Sequence, residues 1–144
     1  MSRCALVRVW NHAYDFRPNC TPLSSITIKC TKNYREQEQF VRILGEKLVS
    51  KTDTTKLIVL GDWNATRNKI DKWGGLPWKE ITYRNSIIDL MEELDLLDIY
   101  RQFHVDTKSF TYETKNSKLK SRIDFFLVSR PISYNVKELS CALP

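Results

Sequence analysis

The segment SRIDFFLVS, residues 121–129, constrains the fold of this chain more than any other. Ile123, Phe125 and Leu127 alternate with Asp124, Phe126 and Val128, so a β-strand here carries apolar side chains on both faces. Strands of that kind sit inside a sheet with cover on each side, and Pro131 closes this one. A carboxylate in such a place is costly unless a cation, a metal or hydrogen-bond donors match it. Asp124 therefore requires a partner. Arg122, two residues away and on the same face of an unbroken strand, can serve; the alternative is a supporting role in catalysis.

Around this strand the periodicity alternates between types. Residues 4–10 (CALVRVW) and 24–30 (SSITIKC) read as strands, with a turn over 19–22 between them. Residues 35–50 read as a helix, with Phe40, Leu44 and Leu48 on one face and Val41 beside them. A polar connection, 51–55, leads to a short strand over 56–61. A long loop follows, from 62 to about 80, broken by Gly74, Gly75 and Pro77. A second helix spans about 83–96, burying Ile87, Met91 and Leu94, with Asn85 or Thr82 as its cap. Residues 110–112 form a short strand, 113–120 a polar and basic loop. Strand, helix, strand, helix, strand, strand is an α/β order.

A chain of 144 residues suffices for about one domain with a real core. With 42% hydrophobic and 28% charged residues it reads as soluble and globular. Its apolar runs, 57–60 and 123–128, fall far short of the ~20 residues of a membrane helix, and residues 1–10 lack the pattern of a signal peptide. No membrane partner is expected. Cys4, Cys20, Cys30 and Cys141 form no CxxC pair and neither His12 nor His104 lies near one, so no zinc site is expected. Reduced thiols in an intracellular compartment follow as the expectation. Lys and Arg exceed Asp and Glu by 23 to 17, giving +6, which permits a polyanionic partner such as nucleic acid without requiring one.

Chemistry concentrates where the 56–61 strand ends. Asp62 stands at its mouth and Asn64 two residues on. A carboxylate there can take a proton from water or hold a cation; an amide can orient a water or a phosphate oxygen. The same pair after Gly61 also makes an ordinary turn. A calcium loop starting at Asp62 fails, because Arg67 replaces the required Gly and Trp73 the bidentate Glu. Lys115, Lys118 and Lys120, with Arg122 beyond them, form either a solvated hairpin tip or a phosphate-contacting finger. Trp73 and Trp78 either stack on bases or pack the loop down. His12 and His104 read as loop residues.

Taken in order, LIVLGDWN (57–64), LLDIYR (96–101), FTY (110–112) and SRIDFFLVS (121–129) resemble the endonuclease/exonuclease/phosphatase superfamily, in particular the apurinic-type endonuclease domain of non-LTR, LINE-like retrotransposons. The resemblance runs from about residue 35 onward; residues 1–34 match poorly. It implies an α/β fold, a partial two-sheet β-sandwich flanked by helices, and residues 1–144 as a single partial domain, roughly its C-terminal half. It implies Mg2+-dependent cleavage of a DNA phosphodiester, and a nuclear location for a retrotransposon product. On it, Asp62 resembles the acid that orients or deprotonates the attacking water. Asn64 resembles its amide partner, and Asp124 the acid of the RID motif that holds a catalytic histidine. Thr111, with Lys115, Lys118, Lys120 and Arg122, resembles a hairpin that enters a DNA groove.

The departures carry expectations of their own. The family's metal-binding Glu belongs to an N-terminal half; its Tyr-Ala-Pro-Asn segment is replaced by ITIKCTKNY, with Tyr34 out of register. No Ser-Asp-His follows the RID motif. The implied protein is a fragment truncated at both ends, with no complete metal set and weak or no activity alone. Without its histidine, Asp124 is expected to bond Arg122 or a backbone donor, or to be wetted, and one apolar sheet face is expected to lie uncovered.

Overall fold

The computed structural model describes residues 24–51, 53–77, 82–116 and 118–137. The strand expected over 4–10, the turn over 19–22, His12 and Trp78 lie outside the described residues.

The run LIVL supplies a strand with Leu57, Ile58 and Val59 buried, and this β2 (Leu57–Asp62) organises the first sheet. β1 (Ser24–Lys29) lies parallel to it, reached through helix α1 (Tyr34–Lys51), because parallel neighbours need a crossover. β7 (Asp124–Ser129) runs antiparallel on the other side of β2, and β4 (Leu96–Asp98) antiparallel to β7. The order is β1-β2-β7-β4, so β7 is internal, as its two apolar faces require.

Helix α1 and helix α2 (Thr82–Glu93) cover one face. The buried stripe of α1 is Gln37, Val41 and Leu48 with Leu44 beside them; Phe40, expected on it, stays 36% exposed at its edge. Helix α2 buries Ile87, Leu90 and Met91, with Leu94 just beyond its end. Asn85 lies inside that helix, three residues past its start, and is not its N-cap. Gly45 lets the two helices approach: a Cβ there would stand 3.1 Å from Leu90 Cδ1. Trp63 is fully buried and stacks on Phe125 with centroids 5.1 Å apart, while its Nε1 donates to the Phe125 carbonyl at 3.2 Å. Stacking of that kind adds about 0.5–1.5 kcal/mol beyond area burial.

The opposite face carries a smaller cluster of Ile58, Val128, Ile99, Tyr100 and Val136, built by α3 (Ile99–Phe103) and the segment after α4 (Arg130–Ser133). Leu60 and Phe126, farther along that face, are half-buried.

A second sheet, β3-β6-β5, holds β3 (Lys72–Gly74), β6 (Leu119–Ser121) and β5 (Tyr112–Glu113). Here the expectation of one unbroken strand over 121–129 is corrected. Ser121 ends β6 in one sheet, and β7 begins at Asp124 in the other. The chain changes sheets across Arg122 and Ile123. Thr111 makes the corner: its hydroxyl accepts the amides of Ile123 at 3.1 Å and Asp124 at 3.0 Å. Arg122 N–H donates to the Asp71 carbonyl, and the Ile123 carbonyl accepts from Trp63, both at 2.8 Å. The short strand expected at 110–112 is found at Tyr112–Glu113, with the Thr111 amide still donating to the Ser121 carbonyl at 2.9 Å just before it. The whole is a mixed α/β structure of two sheets flanked by helices.

Candidate active site at the ends of β2 and β7

Gly61 prepares the site. Its φ of 145° and the approach of β1, where an added Cβ would fall 1.9 Å from the Ile28 carbonyl oxygen, admit no side chain. Past it the chain turns. Asn64 takes a left-handed φ of 49°, and Asp62 Oδ1 accepts the Asn64 amide at 2.9 Å. Asn64 Nδ2 donates to the Cys30 carbonyl, and the Cys30 amide donates to the Asp62 carbonyl at 2.8 Å. The two readings of the Asp62–Asn64 pair are therefore compatible. The residues do form an Asx-type turn, and the turn fixes both polar side chains at the end of a buried strand.

Across the ladder, Asp62 stands directly opposite Asp124 in the β2–β7 register. Directly opposed residues of antiparallel strands have Cβ atoms about 4.5–5.5 Å apart, and like charges placed so repel. Both acids are half-buried. Burial raises the Asp124 pKa above its usual value of 3.8; a hydrogen bond with the Thr111 hydroxyl pulls it down, and the Asp62 charge pushes it up again, with a net rise. Asp124 is thus not bonded to Arg122, as an unbroken strand would have it. Its partner is Thr111, which is buried and positions the acid through three contacts: two accepted amides and the carboxyl group itself. The place of Thr111 in the corner differs from the groove-facing one expected of it.

Arg122 is corrected more sharply. It is 1% exposed, so no phosphate outside the protein reaches it. Its guanidinium forks onto Asp71 (Nε–Oδ1 2.8 Å, Nη2–Oδ2 3.1 Å) and onto Asp98 (Nη1–Oδ1 3.2 Å, Nη2–Oδ2 2.5 Å). Arg101 Nη2 also donates to Asp71, and Asp98 Oδ1 accepts the Arg101 amide at 3.4 Å, capping α3. The guanidinium lies 5.3 Å from the Tyr100 ring centroid and 5.4 Å from that of Phe125. Burial alone would lower the Arg122 pKa, but Asp98 and Asp71 outweigh it and hold the side chain charged. The RID and LLDIYR segments meet in this cluster. It rivets the strand corner to β4 and to the loop after β2.

Of the basic loop, Lys115 and Lys118 are exposed at the hairpin end, while Lys120 pairs with Glu113 at 3.4 Å. Thr114 N donates to the Leu119 carbonyl and Leu119 N to the Thr114 hydroxyl, closing the tip. Trp73, on β3 beside this hairpin, is 49% exposed. His104 caps α3 and its ring lies 4.5 Å from Tyr100, in keeping with a loop residue. Sequence reading missed Lys29, which the β1–β2 register sets alongside Asp62 and which is exposed. The available signal was its place as the last residue of β1, level with the acid.

Two carboxylates and an amide oxygen form an oxygen-rich mouth, with Lys29 alongside. Among the described residues no group of three or more His, Cys, Asp or Glu could hold a metal ion. Also among them, no helix is long and apolar enough to cross a membrane.

No protein-family model matches the chain. Its fold is similar to that of solved AP endonuclease and 3′ phosphatase structures. An AP endonuclease from Archaeoglobus fulgidus matches with a TM-score of 0.67 at 19% identity, over 76% of this chain and 50% of that one. The 3′ phosphatase NExo from Neisseria, solved with a product DNA hairpin, matches with a TM-score of 0.66 at 24% identity, over 76% of this chain and 49% of that one. The chain spans about half the length of these solved structures.

Proposed function

We propose that this chain is part of a divalent-metal-dependent DNA endonuclease of the retrotransposon type, one partial domain over residues 1–144, weakly active or inactive on its own. The observation that carries the reading is the Asp62–Asp124 rung. Two like charges are held face to face at the open end of a buried sheet, with Asn64 fixed beside them. Nothing about folding favours such a pair, whereas phosphodiester cleavage uses carboxylates placed this way.

In this reading Asp62 takes the proton of the attacking water, and Asn64 offers its side-chain oxygen to orient that water. Asp124, steadied by Thr111, orients a base supplied from outside the described residues. Lys29 faces the phosphate charge. The donor set is oxygen, the kind Mg2+ takes through one or two carboxylates while keeping several waters. Asp62 and Asp124 keep the roles just given, and its main ligand is expected from outside the described residues. Bound, it would supply positive charge against the phosphate oxygens. The neighbours' DNA chemistry and the chain's half-length span support the same reading.

The test is nicking of supercoiled plasmid by the full chain with Mg2+, against an Asp62→Ala/Asn64→Ala variant. Slow Mg2+-dependent nicking, lost in the variant, is expected. Nicking that survives the variant overturns the residue roles; fast nicking abolished by it overturns the weak-activity clause. A second reading, a non-catalytic nucleic-acid-binding remnant, is favoured by one observation: Lys115 and Lys118 are exposed together at the hairpin end. Salt-sensitive DNA binding without any cleavage would select it. An absence of both binding and cleavage would leave a generic α/β interaction module with no nucleic-acid ligand.

A further inference from the structure

On the outer side of the arginine–aspartate cluster lies a cleft of about 380 Å³, lined by Arg67, Asn68, Ile70, Arg101, Gln102 and Val105. It is at the small end of the ~300–1,000 Å³ typical of ligand pockets. The mouth at Asp62 and Asp124 shares none of these residues. Charge does not balance around the cleft. Arg67, Arg101 and Arg122 bring three positive charges to a cluster whose acids are Asp71 and Asp98. Arg122 takes both acids through short bonds, and Arg101 takes Asp71 and the carbonyls of His104 and Thr107 at 2.7 and 2.8 Å. Arg67 is left with a long 3.6 Å approach of Nε to Asp98 Oδ2 and a donation from Nη1 to the Met91 sulfur at 3.2 Å. A thioether is a weak acceptor. The buried Nε atoms of both Arg67 and Arg101 have no hydrogen-bond partner. Those two atoms are sealed in, but the Arg67 side chain is 20% exposed and lines the cleft, so an anion entering there meets a guanidinium that the protein's own acids only partly neutralise.

We propose that this cleft is a binding site for a phosphate-type oxyanion, with Arg67 as its principal ligand, Arg101 as its electrostatic floor, and Asn68 and Gln102 as side-chain amides at its wall. An oxyanion with several acceptor atoms suits a fork of N–H donors beside two amides. It would bring the local charge to balance without disturbing the Asp71–Arg122–Asp98 bonds.

Titration of the full chain with inorganic phosphate, followed by 31P NMR, tests this without metal or cleavage, so its outcome is independent of the nuclease reading. One saturable site is expected. Arg67→Gln should weaken it by roughly tenfold or more, with little change in melting temperature. Because Arg101 also holds the fold, the second variant is Gln102→Glu, at an exposed position, which sets a carboxylate against the anion and should weaken binding too. Phosphate affinity unchanged in both variants, or no saturable binding at all, overturns the proposal. A short DNA duplex distinguishes the source of the phosphate. Competition by the duplex, itself weakened by Arg67→Gln, assigns the cleft to a nucleic-acid backbone phosphate; phosphate binding untouched by the duplex assigns it to a small free phosphate compound.

Discussion

Two pairs of aspartates in this molecule are treated in opposite ways. Asp71 and Asp98 are 0–1% exposed in side chain, and each is met by a guanidinium at bonding distance. Asp62 and Asp124 are half-buried, opposed across a ladder rung, and among the described residues no cation bonds them; what they receive is one backbone amide and one hydroxyl. The first group closes the structure. The second is left in mutual repulsion by a structure able to neutralise the same side chain elsewhere. Burial with compensation marks a structural acid, and the half-buried, uncompensated pair is the one proposed to act.

The contrast breaks most visibly at Arg122. Arg122→Leu leaves two sealed carboxylates without their fork and should cost about 3–5 kcal/mol, read by urea denaturation; a loss below ~1 kcal/mol would mean the cluster is not a rivet. Thr111→Val comes next. It removes the acceptor for two amides at the strand corner and should cost about 1–3 kcal/mol. It should also raise the Asp124 pKa further, since the hydroxyl bond is what pulls it down; 13C NMR of the carboxyl carbon follows that shift. The smallest effect belongs to Lys115→Ala/Lys118→Ala, which should change stability by less than ~0.5 kcal/mol while reducing the salt dependence of DNA binding.

Much of this fold was legible in the sequence. The LIVL run, the 3.6-residue stripes of α1 and α2 and the two-sided apolar run of β7 each state an element and its burial, because periodicity records which face meets the core. The mouth was legible too, as an acid and an amide after Gly61. Two things were not. The change of sheet at Arg122 and Ile123 is invisible, since alternation continues through the corner and only the remote Thr111 hydroxyl reveals it. The ion cluster joins residues 24 to 51 positions apart, a separation that no local pattern encodes. A signal for it did exist. Asp98 in LLDIY sits among apolar residues much as Asp124 does in RIDFF, and the demand for a partner that singles out one acid applies equally to the other. Arg122 answered the acid that was buried deeper.

The claim that Asp62 and Asp124 are held together for function rather than folding is tested most directly by the stability of Asp62→Asn/Asp124→Asn as a function of pH. An acid whose folded pKa is raised lends stability below its unfolded value, near 3.8, and loses it as pH rises through the folded value. Asparagine keeps an oxygen for the Asn64 amide and carries no charge. The double variant should therefore be more stable than the natural chain at pH 7, with the gain shrinking to nothing in acid. A variant that is less stable at pH 7, as Arg122→Leu should be, would make the pair a structural element and contradict the account.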